Sequence, residues 1–174
     1  METRLPVTAD DRALMEGVGR RDESAFGELV GRYQHRLFTV AHRLLGNRAD
    51  AEDAVQRAFL NCYVKSSSYD ARWQVSTWLY RVLTNVCVDE LRRRKSAGER
   101  VQLSEADGPT EKRGRDLDLR RALEKVPIEA RLLLALRYVD GLSYGELARI
   151  RGISINTVKS QLARGKSILR KALT

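Results

Sequence analysis

Residues 142–166 read Leu-Ser-Tyr-Gly-Glu-Leu-Ala-Arg-Ile-Arg-Gly-Ile-Ser-Ile-Asn-Thr-Val-Lys-Ser-Gln-Leu-Ala-Arg-Gly-Lys, and they decide the fold of this part of the chain. Ser143 followed by Glu146 is a capping box, in which each side chain satisfies a free backbone amide at the start of a helix. Gly152 can adopt the left-handed conformation that a chain reversal needs. Ser154 can then cap a second helix. The stretch therefore predicts two short helices joined by a tight turn.

The second of these helices has an inward and an outward side. Val158 and Leu162 lie four residues apart and are expected to face the core. The outward residues are polar and uncharged, small or basic, as a helix in the major groove requires: Asn156, Thr157, Lys159, Ser160, Ala163 and Arg164. From 142 to 174 there are seven Lys or Arg and one acid. A capped helical hairpin with a solvated basic surface would share these features, but the agreement of caps, glycine, spacing and charge favours a DNA-binding helix-turn-helix.

Composition limits the class of protein. The chain has 174 residues and a formal charge of +9, enough for one domain or two small ones with a polyanionic partner. No apolar stretch is long enough to span a membrane, and the first residues do not resemble a signal peptide. Cys62 and Cys87 have no CxxC spacing and no nearby histidine, which favours buried, reduced thiols in a cytosolic protein. His35 and His42 have no third ligand, so they are expected on a helix surface and not at a metal.

The N-terminal half predicts successive helices. A short helix starts at Asp10 or Asp11 and ends at Val18, and a longer one ends at about Leu45, before the Gly46-Asn47 pair that suits a C-cap. Apolar residues in the longer helix repeat at intervals of three and four, which indicates one buried side. β-Branched alternation is absent, so the chain is expected to be all-helical.

The third helix is predicted from about Ala49 to Val64. Three acids, Asp50, Glu52 and Asp53, crowd its first turn, where they suit the positive end of the helix dipole. The outward residues could also form a contact surface for a protein: Asp53, Gln56, Arg57 and Leu60. Periodicity alone favours the dipole interpretation.

A loop from Lys65 to Ser76 follows, containing four serines, Tyr69, Asp70, Arg72 and Trp73. Such a mixture suits unstacked bases, and it suits equally a surface loop whose aromatic residues fold onto the core.

The next helix is predicted to be capped by Ser76 and to end at about Arg94. Its polar side carries Arg81, Asn85, Asp89 and Arg92. The cations of 92–95 either complement the negative end of the helix or bind phosphate. A second basic helix elsewhere in the chain favours the interpretation that these cations bind phosphate.

Residues 96–116 lack an apolar period and contain Gly108-Pro109, so they predict a flexible linker. The expected domains are therefore 1–95 and 117–174. The second domain should hold a helix stopped by Pro127, a helix around 132–138 and the helix-turn-helix. The predicted fold class is all-α, with two small helical domains joined by the linker.

Four runs resemble one family when they are taken in order. Residues 25–33 resemble its first core helix, 50–59 the helix that docks on the polymerase clamp, and 77–93 its promoter-melting helix. Residues 142–148 and 157–160 resemble its C-terminal DNA reader. The resemblance is to the extracytoplasmic-function sigma factors, the smallest class of the bacterial sigma-70 family, and it covers nearly all of 24–172.

The resemblance implies roles that spacing alone does not. Asp53 and Gln56 match positions that hold the polymerase clamp helices, and the expected core-polymerase set is Asp50, Asp53, Gln56, Arg57 and Leu60. Asn85 and the loop around 68–72 match positions that capture a flipped base of the minus-ten element. The expected minus-ten set is Ser68, Tyr69, Asp70, Arg72, Arg81, Asn85, Asp89, Arg92 and Arg93. The expected minus-thirty-five set is Ser154, Asn156, Thr157, Lys159, Ser160 and Arg164. Arg57 departs from the acid usual in the family, and Gly145 from a stronger helix former.

The expected function is that of a sigma factor, which binds core RNA polymerase, directs it to specific promoters and helps to open the DNA. The implied partners are the beta and beta-prime subunits, promoter DNA as duplex and single strand, and an anti-sigma factor, all in the cytoplasm and without membrane insertion. No cofactor, metal or catalytic residue is expected, since the sequence has no Ser-His-Asp set, no phosphate-cradling glycine loop and no metal cluster. The alternatives are a helix-turn-helix regulator that binds operators without polymerase, and a nucleic-acid enzyme with an appended DNA reader.

Overall fold

The computed structural model describes residues 9–99 and 110–174, and all regular structure in those two ranges is helical. The N-terminal domain consists of α1 (Ala9–Gly19), α2 (Glu23–Leu45), α3 (Arg48–Val64) and α4 (Val75–Ala97), with a single 3-10 turn at Ser66–Ser68. The C-terminal domain consists of α5 (Thr110–Glu124), α6 (Ile128–Tyr138), α7 (Tyr144–Arg151) and α8 (Ile155–Leu173). The all-α class with two helical domains is confirmed.

Local chemistry explains where α2 begins and ends. The carboxylate of Asp22 accepts a hydrogen bond from the amide of Ser24 at 2.9 Å, which satisfies a free donor of the first turn. Gly46 ends the helix with φ 81°, the left-handed conformation that glycine adopts without strain. The predicted C-cap is therefore confirmed. Close packing of α1 on α2 depends on Gly17, because a Cβ there would lie 2.6 Å from the Cβ of Ala25.

The start of α4 differs from the prediction that Ser76 caps it. The N-cap is Gln74, without a side-chain hydrogen bond, and the helix begins at Val75. Ser76 is already helical and buried, and its hydroxyl has no hydrogen-bond partner among the described residues. The burial of Val75, which is 2% exposed, explains the earlier start, because packing of that side chain draws the preceding turn into the helix.

The predicted linker 96–116 is wrong at both of its ends. Helix α4 continues through Ala97, and α5 begins at Thr110. Residues 110–116 read Thr-Glu-Lys-Arg-Gly-Arg-Asp, which lacks an apolar period but is rich in good helix formers. The missing apolar period therefore did not indicate a loop in residues 110–116. The predicted linker residues 100–109 lie outside the described residues.

The helix-turn-helix forms as predicted. The amide of Glu146 donates to Oγ of Ser143 at 3.1 Å, and the amide of Ser143 donates to Oε2 of Glu146 at 2.7 Å. Gly152 ends α7 with φ 65°. The amide of Thr157 donates to Oγ of Ser154 at 3.1 Å and starts α8. Both ends of the turn are thus fixed by local hydrogen bonds and by the one left-handed glycine.

Helix α8 lies close against α6 because of a glycine. A Cβ at Gly165 would lie 2.9 Å from Cδ1 of Leu134 and 3.4 Å from Cβ of Ala130. Val158 and Leu162, which are 0% and 3% exposed, complete this inward side. The three positions recur at intervals of four and three, as one side of a helix requires.

The two domains pack against each other. Helix α4 contacts α6 and α7, and α2 contacts α6. Apolar residues of both domains accordingly belong to one cluster of buried side chains. Within residues 9–99 and 110–174 no helix has the length and apolar character that crossing a membrane demands.

Candidate polymerase and nucleic-acid surfaces

One side of α3 is exposed and carries four of the five predicted polymerase-binding residues. These are Asp53, Gln56, Arg57 and Leu60. Leu60 is 62% exposed and places an apolar side chain among these polar and charged ones. Nη1 of Arg57 lies 3.6 Å from the carboxylate of Asp53, so the two charges form a pair on this surface. We call these four residues the α3 surface.

Asp50 lies apart from the α3 surface. Its amide donates to Oδ1 of Asn47 at 2.9 Å, and its carboxylate accepts hydrogen bonds from Asn47 and Arg94. These contacts join the start of α3 to the end of α4. They give Asp50 a structural role whether or not a partner also touches it.

The polar side of α4 carries four predicted minus-ten residues, which recur at intervals of four, four and three: Arg81, Asn85, Asp89 and Arg92. Asn85, Asp89 and Arg92 are exposed, and Arg81 is half-buried. The guanidinium of Arg81 lies 5.3 Å from the ring centroid of Trp73, so a cation–π contact joins this side of the helix to the preceding loop. We call these four residues the α4 polar side.

Arg93 belongs to a different surface. Its Nη2 lies 2.8 Å from Oε1 of Glu90, and its Nη1 lies 3.5 Å from Glu99. The hydrogen bond from Arg93 is the main reason that the pKa of Glu90 falls below its usual value.

The loop before α4 divides into inward and outward residues. The hydroxyl of Tyr69 donates to the carbonyl of Trp73 at 2.7 Å, and its ring meets Trp78 edge-on at 5.4 Å between centroids. Tyr69 is therefore folded towards the core. Ser68 is exposed, while Arg72 pairs with Asp70 and by that hydrogen bond lowers the pKa of the Asp70 carboxyl. Of the four predicted loop residues, Ser68 and Arg72 are the ones most available to a nucleic acid.

Helix α8 presents four predicted minus-thirty-five residues on its exposed side: Asn156, Lys159, Ser160 and Arg164. The ammonium of Lys159 lies 5.9 Å from the ring centroid of Tyr144. The other two predicted residues are engaged locally. Ser154 accepts the capping bond, and its hydroxyl lies 2.8 Å from the hydroxyl of Thr157, which is half-buried. Base contact is thus better suited to the four exposed side chains.

The cation run 92–95 contains a residue that sequence reasoning misplaced. Arg94 is 5% exposed, and its Nη1 donates to the carbonyl of Leu45 at 2.9 Å. The sequence does contain the pattern that predicts this burial, because Cys87, Leu91 and Arg94 follow the three-and-four spacing of the buried side of α4. Arg94 is therefore an interior residue, and the phosphate interpretation does not extend to it.

Contacts between the domains involve residues that no pattern in the sequence singled out. Thr84 on α4, Glu129 on α6 and Arg151 on α7 form a hydrogen-bonded group across the boundary. Their separations along the chain, up to 67 residues, carry no periodic signal.

The described residues contain no group of three or more His, Cys, Asp or Glu that could hold a metal ion. Cys62 and Cys87 are buried and unpaired, and burial raises the pKa of each thiol to about 12. Each thiol thus stays protonated at neutral pH.

Comparisons with known proteins find two family models that match this chain. Residues 29–97 match the family model of sigma-70 region 2, and residues 116–169 match that of sigma-70 region 4. The ECF RNA polymerase sigma factor SigW of Bacillus subtilis is 35% identical over 173 residues, which span 90% of this chain and 92% of that protein.

Two solved structures are similar in fold. CnrH in complex with the cytosolic domain of CnrY has a TM-score of 0.72 and 24% identity, covering 94% of this chain and 97% of CnrH. The sigma factor RpoE from Bartonella quintana, in complex with the anti-sigma factor NepR, has a TM-score of 0.66 and 26% identity, covering 85% of this chain and 96% of RpoE. The match to region 2 spans α3 and α4, and the match to region 4 spans the helix-turn-helix.

Proposed function

The chain belongs to the sigma-70 family, in its ECF group of RNA polymerase sigma factors, and from that premise we propose that it binds core RNA polymerase, directs it to specific promoters and helps to open the DNA. The observation that carries the proposal is that sigma-70 region 2 and region 4 both match, in this order, on the two helical domains of one chain. The protein acts as a specificity subunit and catalyses no bond change itself.

The α3 surface is proposed to bind the clamp of the polymerase. An exposed leucine flanked by polar and charged side chains is typical of a protein contact with a small apolar centre. The beta-prime subunit is the expected partner of this surface, and the beta subunit is expected to contact the chain elsewhere.

The α4 polar side and the exposed loop residues are proposed to hold the opened minus-ten strand. Asn85 offers an amide that can pair with the edge of an unstacked base, and the cations Arg72, Arg81 and Arg92 can contact its phosphates. The exposed side of α8 is proposed to read the minus-thirty-five duplex. There, Lys159 or Arg164 can pair with guanine in the major groove.

An anti-sigma factor is the proposed regulatory partner. Between α2, α5, α6 and α8 lies a groove of about 640 Å³ with an apolar wall, formed by residues such as Leu44, Leu119, Leu123, Leu134, Val139 and Leu169. Four cations, Arg43, Arg120, Arg131 and Lys166, and two acids, Asp116 and Glu124, also line it, so the charge of the lining is net positive. The groove suits an amphipathic helix with acidic flanks. We expect the protein to act in the cytoplasm, where the polymerase is.

The decisive experiment is a pull-down of purified core polymerase by this protein, followed by run-off transcription from genomic fragments. Stoichiometric binding with new, discrete start sites is the expected result. Absence of polymerase binding, together with salt-sensitive binding to a duplex by the protein alone, would support the stand-alone regulator. Cleavage of DNA on addition of Mg²⁺ would support the enzyme.

A matched pair of variants tests the α3 surface. Leu60→Asp is expected to weaken polymerase binding by about thirtyfold or more, as the loss of a central contact residue does. Leu173→Asp is the control, since Leu173 is also exposed (51%) but lies at the end of α8. Equal binding by both variants would remove the α3 surface from the proposal.

A further inference from the structure

Ile155 is an exposed apolar residue beside the side chains proposed to read the upstream duplex. It is the first residue of α8 and follows the N-cap Ser154, and its side chain is 45% exposed. The exposed Asn156 comes next in the chain, and the exposed Lys159 lies one helical turn further on. Ile153 packs against the buried cluster, whereas Ile155 is not among the residues that do so. Ile155 therefore places accessible apolar surface at the end of α8 whose residues contact base edges in helix-turn-helix proteins.

The local structure of α8 restricts the direction in which this side chain projects. The amide of Thr157 donates to Oγ of Ser154 at 3.1 Å, which holds the first turn of α8 in helical conformation. A β-branched side chain in a helix has one strongly preferred rotamer. Little conformational freedom is therefore lost when Ile155 meets a binding partner, and the contact is to that extent prearranged.

The chemistry of the major groove limits what an isoleucine can recognise there. Thymine is the base whose groove edge carries an apolar group, the 5-methyl group. The edges of the other bases are read through hydrogen-bond donors and acceptors. An aliphatic side chain placed against such atoms displaces water without replacing its hydrogen bonds, which costs binding energy. Contact with a thymine methyl group buries apolar surface on both sides and carries no such cost.

The spacing within α8 predicts where this thymine lies. Lys159 follows Ile155 by four residues, which corresponds to about 6 Å along an α-helix. Successive base pairs are about 3.4 Å apart along the duplex. With α8 lying along the groove, the two side chains therefore reach positions that are about two base pairs apart.

We propose that Ile155 is a specificity-determining residue of the DNA reader, which contacts the 5-methyl group of a thymine about two base pairs from the base that Lys159 contacts. The inference rests on the proposed function, because it takes α8 as the helix that reads the minus-thirty-five duplex. It adds a residue that lies outside the predicted minus-thirty-five set. Because the contact is apolar, the preference that it gives for thymine does not depend on the salt concentration, unlike binding to phosphate.

Replacement of single thymines by deoxyuridine isolates this contact. Deoxyuridine keeps every hydrogen-bonding atom of thymine and lacks the 5-methyl group. The complex of this protein with core polymerase is bound to a promoter duplex found by run-off transcription, and duplexes with one upstream thymine replaced compete with the unmodified duplex. We expect one position at which replacement lowers the affinity about fourfold, which corresponds to about 0.8 kcal/mol, the effect of burying one group of this size.

Ile155→Ala and Leu173→Ala form a matched pair of variants. Both remove apolar surface from an exposed residue of α8 (45% and 51% exposed), but at opposite ends of the helix. Ile155→Ala is expected to bind the thymine and deoxyuridine duplexes equally at the sensitive position. Leu173→Ala should keep the difference of about fourfold, and Ile155→Val should keep most of it. Circular dichroism shows whether each variant is folded.

A change of salt concentration separates methyl recognition from phosphate binding. Higher salt should weaken the binding of every duplex, because cations of the protein contact phosphates. The ratio of affinities for thymine and deoxyuridine should stay constant in the parent protein. A ratio that falls towards one as salt rises would contradict an apolar contact.

Three further results would overturn the proposal. One is the absence of any upstream position that is sensitive to deoxyuridine, and another is a sensitivity that persists in Ile155→Ala. The third is a loss of sensitivity in Leu173→Ala as well, which would show a general weakening of the domain. Each of these leaves transcription from discrete start sites intact, so the sigma-factor function would stand. If the protein binds no polymerase, the same comparison on duplexes bound by the protein alone tests Ile155 while the proposed function is rejected.

Discussion

Replacement of Arg94 by glutamine is expected to destabilise the N-terminal domain strongly. The side chain is 6% exposed and is held by three acceptors, the carbonyl of Leu45 at 2.9 Å, Oε1 of Glu90 at 3.3 Å, and Asp50. The Leu45 carbonyl stands at the end of α2, where no amide of that helix can reach it. Arg94 therefore ties together the end of α2, the start of α3 and α4.

The magnitude follows from what the change leaves behind. A buried carbonyl that loses its donor costs about 1–3 kcal/mol. Loss of one partner from a buried ionic group costs about 3–5 kcal/mol, and the value here falls at the lower end because Asp50 is 42% exposed and keeps Asn47. Together the two terms give about 4–6 kcal/mol, which lowers the midpoint of thermal unfolding by roughly 10–20 °C for a chain of this size.

Arg93→Gln is the matched control, since it removes the same charge from the next residue. Arg93 is 58% exposed, so water screens its ion pairs. The midpoint of thermal unfolding of Arg93→Gln should therefore stay within about 2 °C of that of the parent protein. Thermal unfolding followed by circular dichroism at pH 7 measures both variants. Equal midpoints for the two would refute the interior role of Arg94 and return it to the phosphate-binding candidates.

Four other predictions address function, pH and chemical reactivity. Arg164→Ala should cost roughly 1–3 kcal/mol in binding at the cognate upstream element if the side chain contacts a base; an equal loss on unrelated duplexes would make it a phosphate contact. Asn85→Ala, measured in complex with polymerase, should reduce the yield of open complex more than upstream binding, and an unchanged yield would contradict its assigned role. Cys62 and Cys87 should react with a thiol reagent only on unfolding, since burial raises the pKa of each to about 12; fast labelling of the folded protein would contradict this. The hydrogen bond from Arg93 lowers the pKa of the Glu90 carboxyl below 4.5. The ionised carboxylate therefore stabilises the folded protein at every pH above the pKa that Glu90 has in the unfolded chain. That stabilisation is lost as the pH falls through the lower pKa of the folded state. In Glu90→Gln the free energy of unfolding should therefore fall less steeply as the pH is lowered below ~4.5 than it does in the parent protein. An equal fall in both proteins would show that the pair of Glu90 with Arg93 contributes nothing to stability.

Features set by near neighbours in the chain could be predicted from sequence. The capping box at Ser143, the left-handed Gly46 and Gly152, and the buried pair Val158 and Leu162 all depend on contacts within a few residues. The α3 surface was likewise predictable from periodicity, because a residue's side of a helix follows from its position modulo the helical repeat.

Features set by packing between distant segments could not. Ser76 has the chemistry of a cap, but the burial of Val75 moves the helix start upstream of it. The composition of the loop suits Tyr69 equally for contact with a base and for folding onto the core. The ring of Trp78, whose centroid lies 5.4 Å from that of Tyr69, shows that Tyr69 folds onto the core. The partnership of Arg151 with Asn85 joins residues 66 apart, a relation that only the folded arrangement reveals.

Gly165 has an evolutionary consequence for the reading of promoters. Gly165, Val158 and Leu162 are buried and help to set how deeply α8 sits on its domain, whereas Asn156 and Ser160 are exposed and are not among the residues that pack on the core. Under the proposed function, substitutions at such exposed positions can drift and give duplicated copies of the gene new target sequences at little loss of stability. A side chain at 165 would instead push against Leu134, move the whole helix and alter every base contact at once. Divergence in promoter choice is thus expected to proceed one base contact at a time while the glycine stays fixed.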